Sequence, residues 1–307
     1  MQRIVTIGGG TGHFQILRGL KNYDVDITAI VNMADDGGST GILRDELGVL
    51  PPGDLRQCIV ALADGPDSHL LRELFNYRFE KGHNLGNLIM TALTDITGSP
   101  IEGIRAACKL MGIKGKVIPV TTDDIQLHAE TDKGEILRGE TKVSYPPKGV
   151  RIKRLFHDPK GFLHQEAGAA IRAADKIIIC PGDLHGSICS NFLVNSMVEA
   201  LQQSKAQKIY ICNLVTKLGS VDFTASDFVN EIEKYAQIKL DKILINSGTP
   251  SEELVTKYLD ENSHLVVDDL GNDSRVVRGD FIGEFSKEPK TFLRHVPEKV
   301  AKAVMEI

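Results

Sequence analysis

The chain has 307 residues, 42% hydrophobic and 25% charged, which is enough apolar material for one large α/β domain or two smaller ones. A net charge of −5, a pI of about 6.0 and the lack of any basic run argue against a nucleic-acid footprint. No apolar run approaches the ~20 residues that a membrane-spanning helix needs.

The first third alternates strand and helix. An apolar run at Arg3–Ile7 meets a glycine-rich turn, Gly8-Gly9-Gly10-Thr11-Gly12. A helix is then predicted from about Gly12 to Lys21, with Phe14, Leu17 and Leu20 on one face, followed by a strand over Asp26–Val31. This order predicts a parallel sheet with crossover helices. Asp54–Ala63 reads as a helix opened by an Asp54/Gln57 capping box. Leu70, Leu71, Leu74 and Phe75 mark another helix, and His83–Thr97 and Ile101–Met111 supply two more.

From Val117 to Leu155 apolar and polar residues tend to alternate, with turn signals at Lys133-Gly134 and Pro146-Pro147, so a β-rich insertion or sheet edge is expected there. The α/β rhythm returns at Glu166. Strands are expected at Lys176–Cys180, Lys208–Asn213, Lys242–Asn246 and Leu265–Val267, and helices at Asn191–Gln202, Ser251–Glu261 and Pro297–Ile307. The reading is one Rossmann-like α/β domain over residues 1–307, mostly parallel, with helices on both faces and the insertion at about 117–155. Five cysteines without a C-x-x-C pair, four of them in apolar segments, and a first segment that reads as a strand rather than a signal peptide lead to an expected cytoplasmic location.

Two glycine-rich segments carry the chemistry. The Gly8–Gly12 turn follows a strand and opens a helix, where free N–H groups and the helix dipole attract anions. It fails as a dinucleotide fingerprint, because His13 stands where the third glycine belongs and the second strand ends in Asn32 rather than an acid. A bare tight turn is the alternative. The second segment, Asn32-Met33-Ala34-Asp35-Asp36-Gly37-Gly38, lies past the end of the next strand, where ligands of open α/β sheets bind. Paired carboxylates there suit Mg²⁺ with substrate phosphates, or sugar hydroxyls, and an exposed polar turn competes with both readings. Asp54 and Asn84 have a plainer reading as helix caps, and Asn87 lies close behind Asn84. Pro181-Gly182-Asp183 through Ser187 and Asn191 repeats the first loop's logic of strand end, glycine, hydroxyl and helix start. Ser187 and Ser190 have no His/Asp arrangement for nucleophilic catalysis, and no His/Cys cluster suggests zinc.

In that order, Gly8–Gly12, Ala34–Gly41, Pro51-Pro52-Gly53-Asp54-Leu55-Arg56 and Leu85-Gly86-Asn87-Leu88 resemble the YvcK-like "gluconeogenesis factor" branch of the CofD-like superfamily. The similarity continues through Leu127–Glu130, Pro181-Gly182, Thr224–Asp227 and Leu293-Arg294-His295. The resemblance implies a bacterial cytoplasmic protein that binds UDP-sugars, notably UDP-N-acetylglucosamine, and is linked to gluconeogenic growth, cell shape and peptidoglycan supply. It also implies that Tyr258 and Arg294 serve the ligand, chemically suited to stack on uracil and to grip a diphosphate. In the sister branch a Mg²⁺-dependent enzyme transfers 2-phospho-L-lactate from a guanosine-diphospho donor, and its acidic metal segments match Asp35 or Asp36 and Asp54.

This chain departs from its relatives at Lys217-Leu218-Gly219-Ser220-Val221, where Gln-Pro-Gly-Glu-Thr is common, and at Asp183, His185 and Gly186, where Ser, Tyr and Thr are usual. The expected ligand-binding set is Gly9, Gly10, Thr11, Gly12, Asn32, Asp36, Gly37, Asn84, Asn87, Gly182, Ser187, Tyr258 and Arg294, with Asp35, Asp36 and Asp54 as candidate metal residues. No cofactor is required, with Mg²⁺ the one candidate. The expected partner is a UDP-sugar or other nucleotide diphosphate, neither nucleic acid nor membrane. Self-association and a protein partner in cell-wall synthesis are further expectations. A UDP-sugar-binding regulator is the first reading, and a Mg²⁺-dependent transferase on a nucleotide-diphospho donor is the alternative.

Overall fold

A computed structural model describes residues 1–79, 82–287 and 290–307. Strand β1 (Gln2–Gly8) leads through helix α1 (Gly10–Leu20) to β2 (Val25–Val31). Five helices follow, α2 (Gly38–Leu47), α3 (Pro52–Leu62), α4 (Ser68–Asn76), α5 (Leu85–Thr97) and α6 (Pro100–Met111), before β3 (Lys116–Pro119). Next come β4 (Leu127–Thr131), β5 (Ile136–Arg138), the short helix α7 (Glu140–Ser144) and β6 (Ile152–His157). Then α8 (Gln165–Ala173) precedes β7 (Lys176–Ile179), and a wide helical turn at Leu184–Cys189 runs into α9 (Ser190–Phe192) and α10 (Met197–Gln203). The last third contains β8 (Gln207–Ile211), α11 (Ala225–Ala236), β9 (Lys242–Asn246), α12 (Glu252–Asp260), β10 (Val276–Gly279), the hairpin β11 (Ile282–Lys287) and β12 (Lys290–His295), and α13 (Pro297–Glu306).

Seven of these strands form one parallel sheet in the order β10-β9-β8-β7-β1-β2-β3. Consecutive buried residues in β1 (Ile4, Val5, Thr6, Ile7), β2 (Ile27–Val31) and β7 (Ile177, Ile178, Ile179) mean that both sheet faces are covered, as parallel sheets require. The chain steps from β1 to β2 to β3 in one direction, then returns to the other side of β1 at β7 and continues outward. Strand order therefore reverses between β1 and β7, and the loops leaving their carboxyl ends bound a crevice. Those loops are Gly9–Gly12 and Pro181–Ser187. Among the described residues, no helix is long and apolar enough to cross a membrane.

The structure departs from the sequence reading in five places. The β-rich segment divides, because β3 joins the central sheet as its edge while β4, β5 and β6 form a separate antiparallel sheet interrupted by α7. The glycine-rich stretch after Asp36 folds as α2, since Ile42 and Leu43 follow the glycines and Gly48 ends the helix in the left-handed conformation. The helix expected over Asn191–Gln202 breaks around Leu193–Ser196. The expected strand at Leu265–Val267 is a single bridge, Val215 to Leu265, and the sheet continues instead with β10. Asp54 does not cap α3; Pro51 precedes the helix, and the buried Asp54 carboxylate lies against the Gly9–Gly10 turn at the start of α1.

Candidate functional site

The cleft outside the β1/β7 switch point has a volume of about 580 Å³. One wall is Gly9, Gly10, Thr11 and Gly12 with Pro181, Gly182, Asp183 and Ser187. The opposite wall comes from Asn213–Leu218, Tyr258, Phe292, Leu293 and Arg294, and α7 contributes Glu140 and Ser144. Eight of the expected ligand residues therefore share one cavity: Gly9, Gly10, Thr11, Gly12, Gly182, Ser187, Tyr258 and Arg294.

The glycines are explained by close approach. A Cβ on Gly12 would overlap the Pro181 carbonyl, so the two loops meet backbone to backbone. A Cβ on Gly9 would collide with the Asp54 carboxylate. On the far wall the Tyr258 hydroxyl oxygen accepts the Leu293 N–H at 3.0 Å, which fixes the ring beside the cavity. The Arg294 guanidinium lies 5.0 Å from the Phe292 ring centroid and donates to the Leu293 carbonyl at 3.4 Å. Gln15 also lines the cleft, and its buried Oε1 has no partner in the protein, leaving an acceptor for a ligand's donor.

Five expected residues do not line this cavity. Asn32 lies behind the glycine loop, its Nδ2 donating to the Gly186 carbonyl at 3.1 Å and its buried Oδ1 unpartnered. The Asp36 carboxylate is held by α7. One of its carboxylate oxygens accepts the Thr141 N–H at 2.9 Å and the Thr141 hydroxyl at 2.7 Å, tying the start of α7 to the strand-end loop. Gly139, at φ +94°, passes so close to that carboxylate that no side chain fits. The Gly37 N–H closes back on Asp35 Oδ1 at 3.0 Å.

Asn84 caps α5 by accepting the Asn87 N–H at 3.2 Å. Asn87 in turn accepts the buried Arg56 Nε–H at 3.0 Å, while Arg56 also reaches the Phe75 carbonyl and Asn76. Asn87→Ala, which strips a buried guanidinium of one partner, is expected to cost about 1–3 kcal/mol. Urea unfolding reads that loss.

The half-buried Asp35 and the buried Asp54 form an acidic pair. Burial raises Asp54 to about 7, and the Asp35 charge adds to it. Burial is also the main cause of the upward shift at Asp35, with the Asp36 charge assisting. The Asp54 carboxylate lies against Gly9 and Gly10 at the start of α1, so an anion in the cleft shares that helix end with it.

The donor chemistry fits Mg²⁺, which takes one or two carboxylates and completes its shell with phosphate oxygens and water. Asn32 and Asp54 both flank Gly9, Asn32 Oδ1 is unpartnered, and Asp35 lies by Gly53, so hard-oxygen side chains stand close to the strand-end loops. Among the described residues no group of three or more His, Cys, Asp or Glu could hold a metal, so the ligand's own oxygens would have to complete the shell.

The sequence reading missed Glu140, Ser144, Asn213–Thr216 and Phe292, and named Lys217 and Leu218 only as departures from the relatives' pattern. Burial raises Glu140 to about 8, although its bond from Ser144 opposes this. The Ser144 hydroxyl lies 2.6 Å from Glu140 and 2.9 Å from Asp183. It has one proton to give, so a protonated Glu140 lets it donate to Asp183. The two departures from the relatives' pattern meet here: Lys217 Nζ is 3.6 Å from Asp183 Oδ2. Gly186 is small because Glu140 and Ser144 fill the space a side chain would need. His185 turns away from the cleft into the interior, edge-on to Phe223 and 3.8 Å from Glu231.

A doubly covered parallel sheet with a two-glycine-loop crevice at its switch point defines a Rossmann-like α/β protein. Residues 4–282 match the family of 2-phospho-L-lactate transferase CofD. The chain is 41% identical over 313 residues to the gluconeogenesis factor of Halalkalibacterium halodurans, covering 99% of this chain and 96% of that one. It is 39% identical over 316 residues to the gluconeogenesis factor of Bacillus subtilis, covering 99% and 98%. A crystal structure of a Bacillus halodurans protein of the UPF0052 family superposes with a TM-score of 0.92 at 39% identity, covering 99% of this chain and 100% of that one. The chain belongs to the gluconeogenesis-factor branch of the CofD family.

Proposed function

We propose that this protein binds a UDP-sugar, UDP-N-acetylglucosamine foremost, and acts as a regulatory binding protein in gluconeogenic growth, peptidoglycan supply and cell shape. The observation that carries this reading is the pairing of two backbone-lined glycine loops with Tyr258 and Arg294 across one cavity of about 580 Å³. The volume lies in the ordinary range for small-molecule sites, about 300–1,000 Å³. In this reading the diphosphate rests on the N–H groups of the Gly9–Gly12 and Gly182–Ser187 loops, Arg294 pairs with it, and Tyr258 with Phe292 flanks the base.

A second reading draws on the CofD match and the Asp35/Asp54 pair: a transferase on a nucleotide-diphospho donor. Mg²⁺ held there with the donor phosphates would offset charge developing on the leaving group. A thermal-shift panel of UDP-N-acetylglucosamine, GDP and NAD, each with and without Mg²⁺, separates the readings, because a ligand that binds only the folded state raises its stability. Stabilisation by the UDP-sugar without Mg²⁺ is expected. A response confined to GDP with Mg²⁺ would favour the transferase, and a response to NAD alone would rule out both.

A further inference from the structure

Among the described residues lining the cleft, Lys217 and Arg294 are the two permanent cations, and they stand on different segments. Arg294 belongs to β12, whereas Lys217 begins a short helical turn, Leu218–Ser220, pinned where its N–H donates to Ser220 Oγ at 3.3 Å. The Lys217 side chain is 43% exposed, and its ammonium faces Asp183 Oδ2 across the mouth of the second glycine loop. The other oxygen of Asp183 is already engaged, by the Gly186 N–H at 2.8 Å and the Ser144 hydroxyl at 2.9 Å. Asp183 therefore stays fixed while Lys217, on a flexible stem with three donors, can swing. At 3.6 Å, and with its lysine half exposed, this pair is weakly held. A phosphate seated on the Gly182 loop presents more negative charge than the single carboxylate oxygen that Lys217 now faces.

We infer that Lys217 is a second phosphate-binding cation of this cleft, leaving Asp183 for the ligand's phosphate and, with Arg294, selecting nucleoside diphosphates over monophosphates. This assignment rests on the nucleotide reading above. Two cations on two separate segments suit two phosphates, whereas a monophosphate engages one and leaves Lys217 on Asp183.

The test is titration calorimetry of the intact chain with UDP, UMP and uridine. Four proteins are compared: wild type, Lys217→Ala, Lys217→Arg and the double variant Lys217→Ala/Asp183→Asn. Loss of one charge-assisted contact is expected to weaken UDP about tenfold or more in Lys217→Ala. UMP and uridine should change little, and Lys217→Arg should restore most of the UDP affinity. The double variant removes the bare Asp183 charge that Lys217→Ala leaves behind. Weak UDP binding in that protein means that Lys217 touches the phosphate. Full recovery means that it only neutralises Asp183, which overturns the assignment. Equal weakening of all three ligands in Lys217→Ala, or unchanged UDP binding, overturns it too. If the wild type binds none of the three, the nucleotide reading itself falls and the assignment falls with it.

Discussion

Replacing Gly12 with alanine is expected to destabilise the protein by at least about 3 kcal/mol, at the upper end of overpacking costs. The added methyl would overlap the Pro181 carbonyl oxygen and carbon, and its next neighbour is the Gly182 nitrogen. All three are backbone atoms at the end of a central strand, so no side chain can rotate to make room. The helix start must move away from the β7 loop, which also widens the cleft. Gly182→Ala is the control, because its Cβ would find neighbours only at 3.4 Å and beyond, ordinary contact distances. That variant should stay within about 1 kcal/mol of wild type. Urea unfolding of both variants decides the matter: equal stabilities would mean that the two glycine loops do not meet backbone to backbone.

A second large effect is expected at Asp54. Its folded pKa, about 7, lies above the 3.8 of an ordinary aspartate, first because it is buried and then because Asp35 is charged. The folded state therefore holds this proton more tightly than the unfolded chain does. The penalty is absent below about pH 4, grows as the pH rises, and is complete above about pH 7. At roughly 1.4 kcal/mol per unit, a shift of about 3 units amounts to about 4 kcal/mol at most. Asp54→Asn keeps the size and shape of the side chain and removes the charge. Without ligand and with chelator present, it should stabilise the protein by several kcal/mol at pH 8 and by little at pH 4.5. A difference that is the same at both pH values would refute the buried charge. Mg²⁺ is expected to narrow the pH 8 difference, since a cation relieves the same repulsion.

The parts of the fold that could be read from sequence are those whose signal is local. The β1-turn-α1-β2 unit, β9 and α13 follow from apolar periodicity and glycine or proline punctuation, and their positions agree within a few residues. α2 was hidden because Gly37, Gly38 and Gly41 read as flexible loop, yet Gly41 is small so that the helix can pack on the Asp36 carbonyl. The site was half legible. Gly9–Gly12, Gly182 and Ser187 announce themselves as strand-to-helix loops, and Tyr258 and Arg294 came from the family resemblance.

What could not be read was which residue faces which. Asp35 and Asp36 are neighbours in sequence, and the backbone sends one toward Asp54 and the other to Thr141, more than 100 residues on. Glu140 and Ser144 reach the cleft because α7 packs against the Leu184–Cys189 turn and Ser144 bonds Asp183. Lys217 meets Asp183 through two loops that carry no shared pattern. Asn84 and Asn87, expected among the ligand residues, lie outside the cleft, where Asn84 caps α5 and Asn87 seats Arg56.

The central claim is that the glycine loops and Arg294 form one site for a UDP-sugar. Calorimetric titration of UDP-N-acetylglucosamine into the wild type and into Arg294→Ala tests it most directly. The account predicts one site per chain in the wild type and an affinity at least tenfold weaker in the variant, about 1.4 kcal/mol or more. Binding of equal strength in both proteins, or no heat from the wild type at millimolar ligand, would contradict it.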